Sequence, residues 1–187
     1  MLTPVEICNR ALDKLGADPI NSLDAPQLIN EKRCARIYPI TKAAQLRRHR
    51  WVFAKKDATL SPLAAKTSAG LYQFPLPTDC LRPLRGDTTT WTRAGKVLCD
   101  SDAGPLALDY IANVSEELFD VEFIDVLACK IAEELAEPIT QNANKKAQAK
   151  QDWLDALTEA KRNNAFEVGD EDLHDSDIGF DWITRRY

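Results

Sequence analysis

Histidine is scarce: His49 and His174 are the only two in 187 residues. Catalysis that uses imidazole as a base would have to draw on one of them, yet one stands among arginines and the other among aspartates, both solvated by composition. Nucleotide and hydrolase signatures are missing too, since there is no G-x-G-x-x-G, no Walker loop, no H-E-x-x-H and no G-x-S-x-G. The five cysteines, Cys8, Cys34, Cys80, Cys99 and Cys129, are odd in number and lack the short spacing of zinc sites. They read as free thiols packing as small hydrophobes, so neither a metal nor a cofactor is expected. No run of about eighteen apolar residues could span a bilayer, so no membrane partner is expected. The N-terminal MLTPVEICNRALDKLG lacks a basic segment followed by an apolar one, which points to synthesis and assembly in the cytoplasm.

What is present is ordinary globular material, 44% hydrophobic and 28% charged, with a net charge of −5. That charge argues against an overall pull toward nucleic acid but leaves room for a local patch. The acid is unevenly placed: Glu167 to Asp181 holds seven carboxylates and no lysine or arginine, which leaves about +2 for the rest of the chain. Those seven acids lack the glycine and closing glutamate of a calcium loop, so a solvated or partner-ordered arm is the expected state.

Periodicity suggests four helices. Thr3, Pro4 and Glu6 form a capping box with proline in the first turn, and Gly16 marks the stop. Asp24 is the expected N-cap of a long second helix that places Leu28, Cys34, Tyr38 and Leu46 near one stripe, with a kink or break at Pro39. From Val52 to Tyr110 prolines, threonines and short alternating runs predict strands in GLYQFPLP, Asp79 to Leu84, TTTWTRAG, KVLCD and LALDYIA, forming one small antiparallel sheet. Helical spacing returns with Phe119, Phe123, Leu127, Ile131 and Leu135 or Ala136 up to Pro138, then with Ala147, Trp153, Leu154, Leu157 and Ala160. The expected fold is therefore mainly α: a discontinuous four-helix bundle over 1–51 and 115–165, a small antiparallel β insertion over 52–114 between helices 2 and 3, and an extended acidic C-terminal arm over 166–187.

Three stretches invite a functional reading. The basic run from Arg47 to Lys56 could grip DNA, but it also sits where cations complement a helix C-terminus, and Trp51 and Phe53 would point to one side of an emerging strand and plug the junction of bundle and insertion. The joint is the preferred reading. Asp79 beside Cys80 makes a poor thiol nucleophile, because an adjacent carboxylate raises a thiol pKa. Glu116, Glu117, Asp120, Glu122 and Asp125 could supply a carboxylate pair for peptidoglycan cleavage, with Glu117 or Glu122 acting, but acids crowd the first turn of a helix in any case.

Several runs taken in order carry a family likeness: EICNRALDKLGADPINSLD, CARIYPITKAAQLRRHRWVFAKKDATL, YQFPLPTDCLRPL, FIDVLACKIAEELAEPIT and AKRNNAFE. Together they resemble the head-to-tail connector (adaptor) proteins of tailed bacteriophages, called tail tubular protein A or tail accessory factor in short-tailed phages. The W-x-F-A element at Trp51 to Ala54 and the P-x-D-C-L-R run at Pro77 to Arg82 are its most specific parts. The resemblance implies a non-catalytic virion component of the head–tail junction. Such a protein forms a homo-oligomeric ring, commonly of about twelve subunits, beneath the portal protein and above a tail tube or nozzle protein. DNA would pass its channel without sequence-specific binding. The resemblance also implies a C-terminal arm that reaches the portal, with Trp182, Arg185, Arg186 and Tyr187 as anchors.

Overall fold

The computed structural model describes residues 3–85 and 90–167. Helix α1 (Pro4–Leu15) opens with the capping box, in which the Thr3 hydroxyl accepts from the N–H of Glu6 and the Glu6 carboxylate accepts from the N–H of Thr3. It closes on Gly16, whose φ of 70° lies in the left-handed region that a side chain disfavours. Helix α2 (Ile29–Arg48) starts later than Asp24. The buried Glu31 carboxylate accepts from the N–H groups of Gln27 and Leu28, at 2.7 and 2.9 Å, and from Asn21 at 3.3 Å, so it caps the helix and ties down the preceding loop. The helix runs uninterrupted through Pro39, which faces solvent. Leu28 is exposed and lies outside the stripe formed by Cys34, Tyr38 and Leu46.

A 3-10 turn, Val52–Ala54, leads into β1 (Lys55–Leu60), so Trp51 and Phe53 lie on this turn and its approach and share no strand. The further strands are β2 (Tyr72–Pro75), β3 (Cys80–Pro83), β4 (Thr92–Ala94), β5 (Val97–Asp100) and β6 (Leu106–Ala112). They form two antiparallel three-stranded sheets, in the orders β1-β6-β3 and β2-β5-β4. The link between the central strands is held by acids: the buried Asp100 accepts from Thr90 and from the N–H of Asp102, while Asp102 accepts from the N–H of Gly104. A second 3-10 turn, Glu116–Leu118, precedes α3 (Val121–Thr140), which continues past Pro138. Asn142 then accepts from the N–H groups of Asn144 and Lys145 and caps α4 (Ala143–Glu167).

The expectation of a mainly α four-helix bundle with a small β insertion is corrected by this architecture. Among the described residues there are four helices and six strands in two sheets, a mixed α/β fold. The helices do not enclose a closed bundle: α3 is the hub against which α1, α2 and α4 pack, and α2 turns part of its surface to β3 and β6. Leu60, Phe74, Leu84, Trp91, Leu98, Leu108 and Ile111 of the sheet region join Leu12, Leu46, Phe123, Leu127, Ile131 and Trp153 in one continuous core. The strands are therefore structural partners of the helices rather than an appendage, because neither set buries its apolar face alone.

Candidate interaction surface

The junction between α2 and the first sheet gathers the residues singled out in the sequence. Trp51 is buried, donates its indole N–H to the carbonyl of Gln45 at 3.0 Å, and packs edge-on against Phe123 with ring centroids 5.1 Å apart. Half-buried Phe53 lies between Trp51, Phe119 and Phe123, at centroid distances of 6.1, 5.8 and 5.1 Å. Beside this aromatic group the buried amide of Asn164, on α4, accepts from the N–H of Val52 at 2.9 Å and donates to the carbonyl of Arg50 at 3.1 Å. Its amide nitrogen also lies 3.3 Å from Nε2 of His49. Asn164 continues the buried stripe of Trp153, Leu157 and Ala160, and it escaped the sequence reading.

Most cations of the basic run are committed within the subunit. Lys56 pairs with Asp79 at 2.9 Å, Lys55 with Asp109 at 3.5 Å, and the Arg48 guanidinium lies 4.9 Å from the centre of the Trp153 ring. Arg82 donates to the carbonyl of Arg47 at 3.3 Å, so the P-x-D-C-L-R run clasps the end of α2 while its aspartate clasps β1. Burial would raise the Asp79 carboxyl, but Lys56 and the Tyr110 hydroxyl outweigh it and hold the group below the usual carboxylate range. The Cys80 thiol is pushed up by burial and by Asp79, against the opposing charges of Arg93 and Arg47, which is the wrong direction for a nucleophile. All five cysteines are free thiols.

The acids near the start of α3 are dispersed. Glu116 sits on the 3-10 turn and accepts from Lys42 at 2.8 Å and from the Tyr38 hydroxyl at 2.9 Å. Burial pushes its carboxyl up, and the bonds from Lys42, its own backbone and Tyr38 bring it below the ordinary range. Asp125 is shared between Arg10 and Lys14, at 3.7 and 3.5 Å. Glu117 and Glu122 are exposed, and Glu122 accepts from Asn163 at 3.4 Å. Asp120 is raised by burial first and then by Glu167 and Glu122. A hollow of about 150 Å³ lies elsewhere, between α1, α3 and α4, lined in part by Lys14, Cys129, Lys145 and Asp152. Among the described residues no group of three or more histidine, cysteine or acidic side chains could hold a metal ion, and no helix is long and apolar enough to cross a membrane.

The anchors Trp182, Arg185, Arg186 and Tyr187 lie outside the described residues, as does His174. One further surface escaped the sequence reading. α2 carries a single acid, Glu31, which is buried, so its outward side holds cations and two exposed isoleucines, Ile29 and Ile40. Comparison of the sequence with protein-family models and with curated proteins gives no match.

Proposed function

We propose that the chain is a structural subunit of the head–tail junction of a tailed phage, assembling into a ring between portal and tail and extending the DNA channel. The observation that carries this reading is spatial. Of the two runs most specific to the connector resemblance, Pro77 to Arg82 clasps the chain on either side of the other, Trp51 to Ala54, through Arg82 on the Arg47 carbonyl and Asp79 on Lys56. Residues far apart in the chain thus share one structural task, fixing the angle between helices and sheet. A ring subunit needs that angle held, because a repeated heterologous contact closes only at one rotation. Exposed apolar side chains on several elements, Leu118 and Val121 before and in α3 and Phe166 of α4, offer material for subunit contacts.

In this reading the residues after Phe166 reach the portal, with Trp182, Arg185, Arg186 and Tyr187 as anchors, and neither cofactor nor catalysis is involved. Co-sedimentation with portal rings tests it. The full chain is expected to sediment with the portal, and a chain ending at Phe166 to stay in the supernatant while keeping its far-UV circular dichroism per residue. A full chain that never associates with portal rings would overturn the reading, and equal association of both chains would overturn the role of the arm.

A further inference from the structure

We infer that the outward face of α2 is the docking surface for an acidic stretch of this same chain, residues 170–181. The inference goes beyond the connector reading and does not rest on it. Burial defines the face: with Glu31, Cys34, Tyr38, Thr41 and Gln45 turned inward, the helical repeat places Ile29, Lys32, Arg36, Ile40 and Arg47 outward. Lys32, Arg36 and Arg47 form no ion pair among the described residues, and the helix's one carboxylate, Glu31, is occupied by backbone N–H groups. Ile29 and Ile40 are 65% and 69% exposed, too open for side chains whose only role is the core. Eleven residues of helix separate them, about 16 Å.

The occupant must therefore present acids set between apolar residues. Residues 170–181, DEDLHDSDIGFD, do so in sequence, with Asp175 and Asp177 set between Leu173 and Ile178. A nucleic-acid backbone would satisfy the cations but would leave both isoleucines against phosphate and water, which disfavours it. The origin of the segment selects the same molecule. α4 ends beside the end of α2, where Asn164 bonds Arg50 and Val52, so the stretch begins near the Arg47 end of the face. Six residues from Glu167 to Leu173 can reach about 20 Å, against about 12 Å of helix from Arg48 back to Ile40 and the two extended residues beyond Arg48. The short tether makes the local concentration of the acids high without new contacts, and leaves Trp182 to Tyr187 beyond the docked stretch.

Carbodiimide cross-linking of the full-length protein at low salt tests this, because it joins a lysine amine to a carboxylate only when they touch. The expected result is a Lys32 cross-link to a carboxylate within 170–181, carried by the monomer. Its yield should fall at least about fivefold in R36E/R47E and in D175K/D177K, and on raising sodium chloride to about 0.5 M. Unchanged thermal unfolding of both variants ties the loss to the contact. The proposal is overturned by any of three results: no link to Lys32, a link that survives both variants, or links confined to covalent dimers. Salt-dependent retention of duplex DNA by the full chain, abolished in R36E/R47E, would assign the face to nucleic acid and overturn it as well.

Discussion

Single side chains do a large share of the organising work, and three of them give measurable expectations. Asn164 satisfies the N–H of Val52 and the carbonyl of Arg50 with one amide, so Asn164→Ala leaves two backbone groups near the core without their partner. The expected cost is about 2–4 kcal/mol in urea denaturation, and a cost below about 0.5 kcal/mol would show that the groups find water. Trp51→Ala should cost about 3–5 kcal/mol, because the ring is buried against Phe123 and its indole N–H is bonded. Glu31 is held below the usual carboxylate range chiefly by the N–H groups of Leu28 and Gln27, with burial opposing. A folded pKa below the unfolded one gives stability that is complete above about pH 4.3 and is lost as pH falls through the folded value. Glu31→Gln should therefore lower the melting temperature at pH 7 by several degrees and flatten the acid limb of the stability curve; a parallel, unflattened curve would contradict the assignment. Of these residues only Trp51 stood out in the sequence. Asn164 and Glu31 were hidden because their partners are backbone groups fixed by folding, which no local pattern displays.

Elements with local causes were the legible ones. α1 is announced by Thr3, Pro4, Glu6 and Gly16, all acting within its own ends. α3 shows its stripe because Phe123, Leu127, Ile131 and Leu135 face three helices at once. The start of α2 was misplaced because its cap is Glu31, bonded across the loop to Asn21 as well as to its own first turn. β1 was expected too early, from Trp51, because Lys55, Lys56 and Asp57 read as a charged exit, and on this edge strand the ion pairs of Lys55 and Lys56 with Asp109 and Asp79 exist only once the sheet is assembled. α2 also runs through Pro39, where a bond from the residue 39 nitrogen is impossible and the ring crowds the preceding turn. Pro39→Ala is expected to stabilise by about 1–2 kcal/mol, since the site is exposed and alanine restores the donor. Destabilisation in the same denaturation assay would mean that the proline shapes α2 for its packing on α3 and β6.

At the scale of the whole molecule, one continuous core explains why the bundle-with-insertion picture failed. Phe74 and Leu98 of the second sheet, and Trp91 just before β4, belong to the same apolar cluster as Leu127 and Trp153 of the helices, so the strands have no separate hydrophobic centre. Unfolding followed by helical circular dichroism and by the fluorine resonance of Trp91 in protein labelled with 5-fluorotryptophan should give coincident transitions. The proposal at this scale is that a subunit whose helices and strands share one core assembles into a ring under a portal. Electron microscopy of the full chain mixed with portal rings tests it most directly. The account predicts a second closed ring, coaxial with the portal, with the joint of α2 and the first sheet repeated around the axis. Portal rings that remain bare beside a monodisperse, monomeric subunit would contradict it.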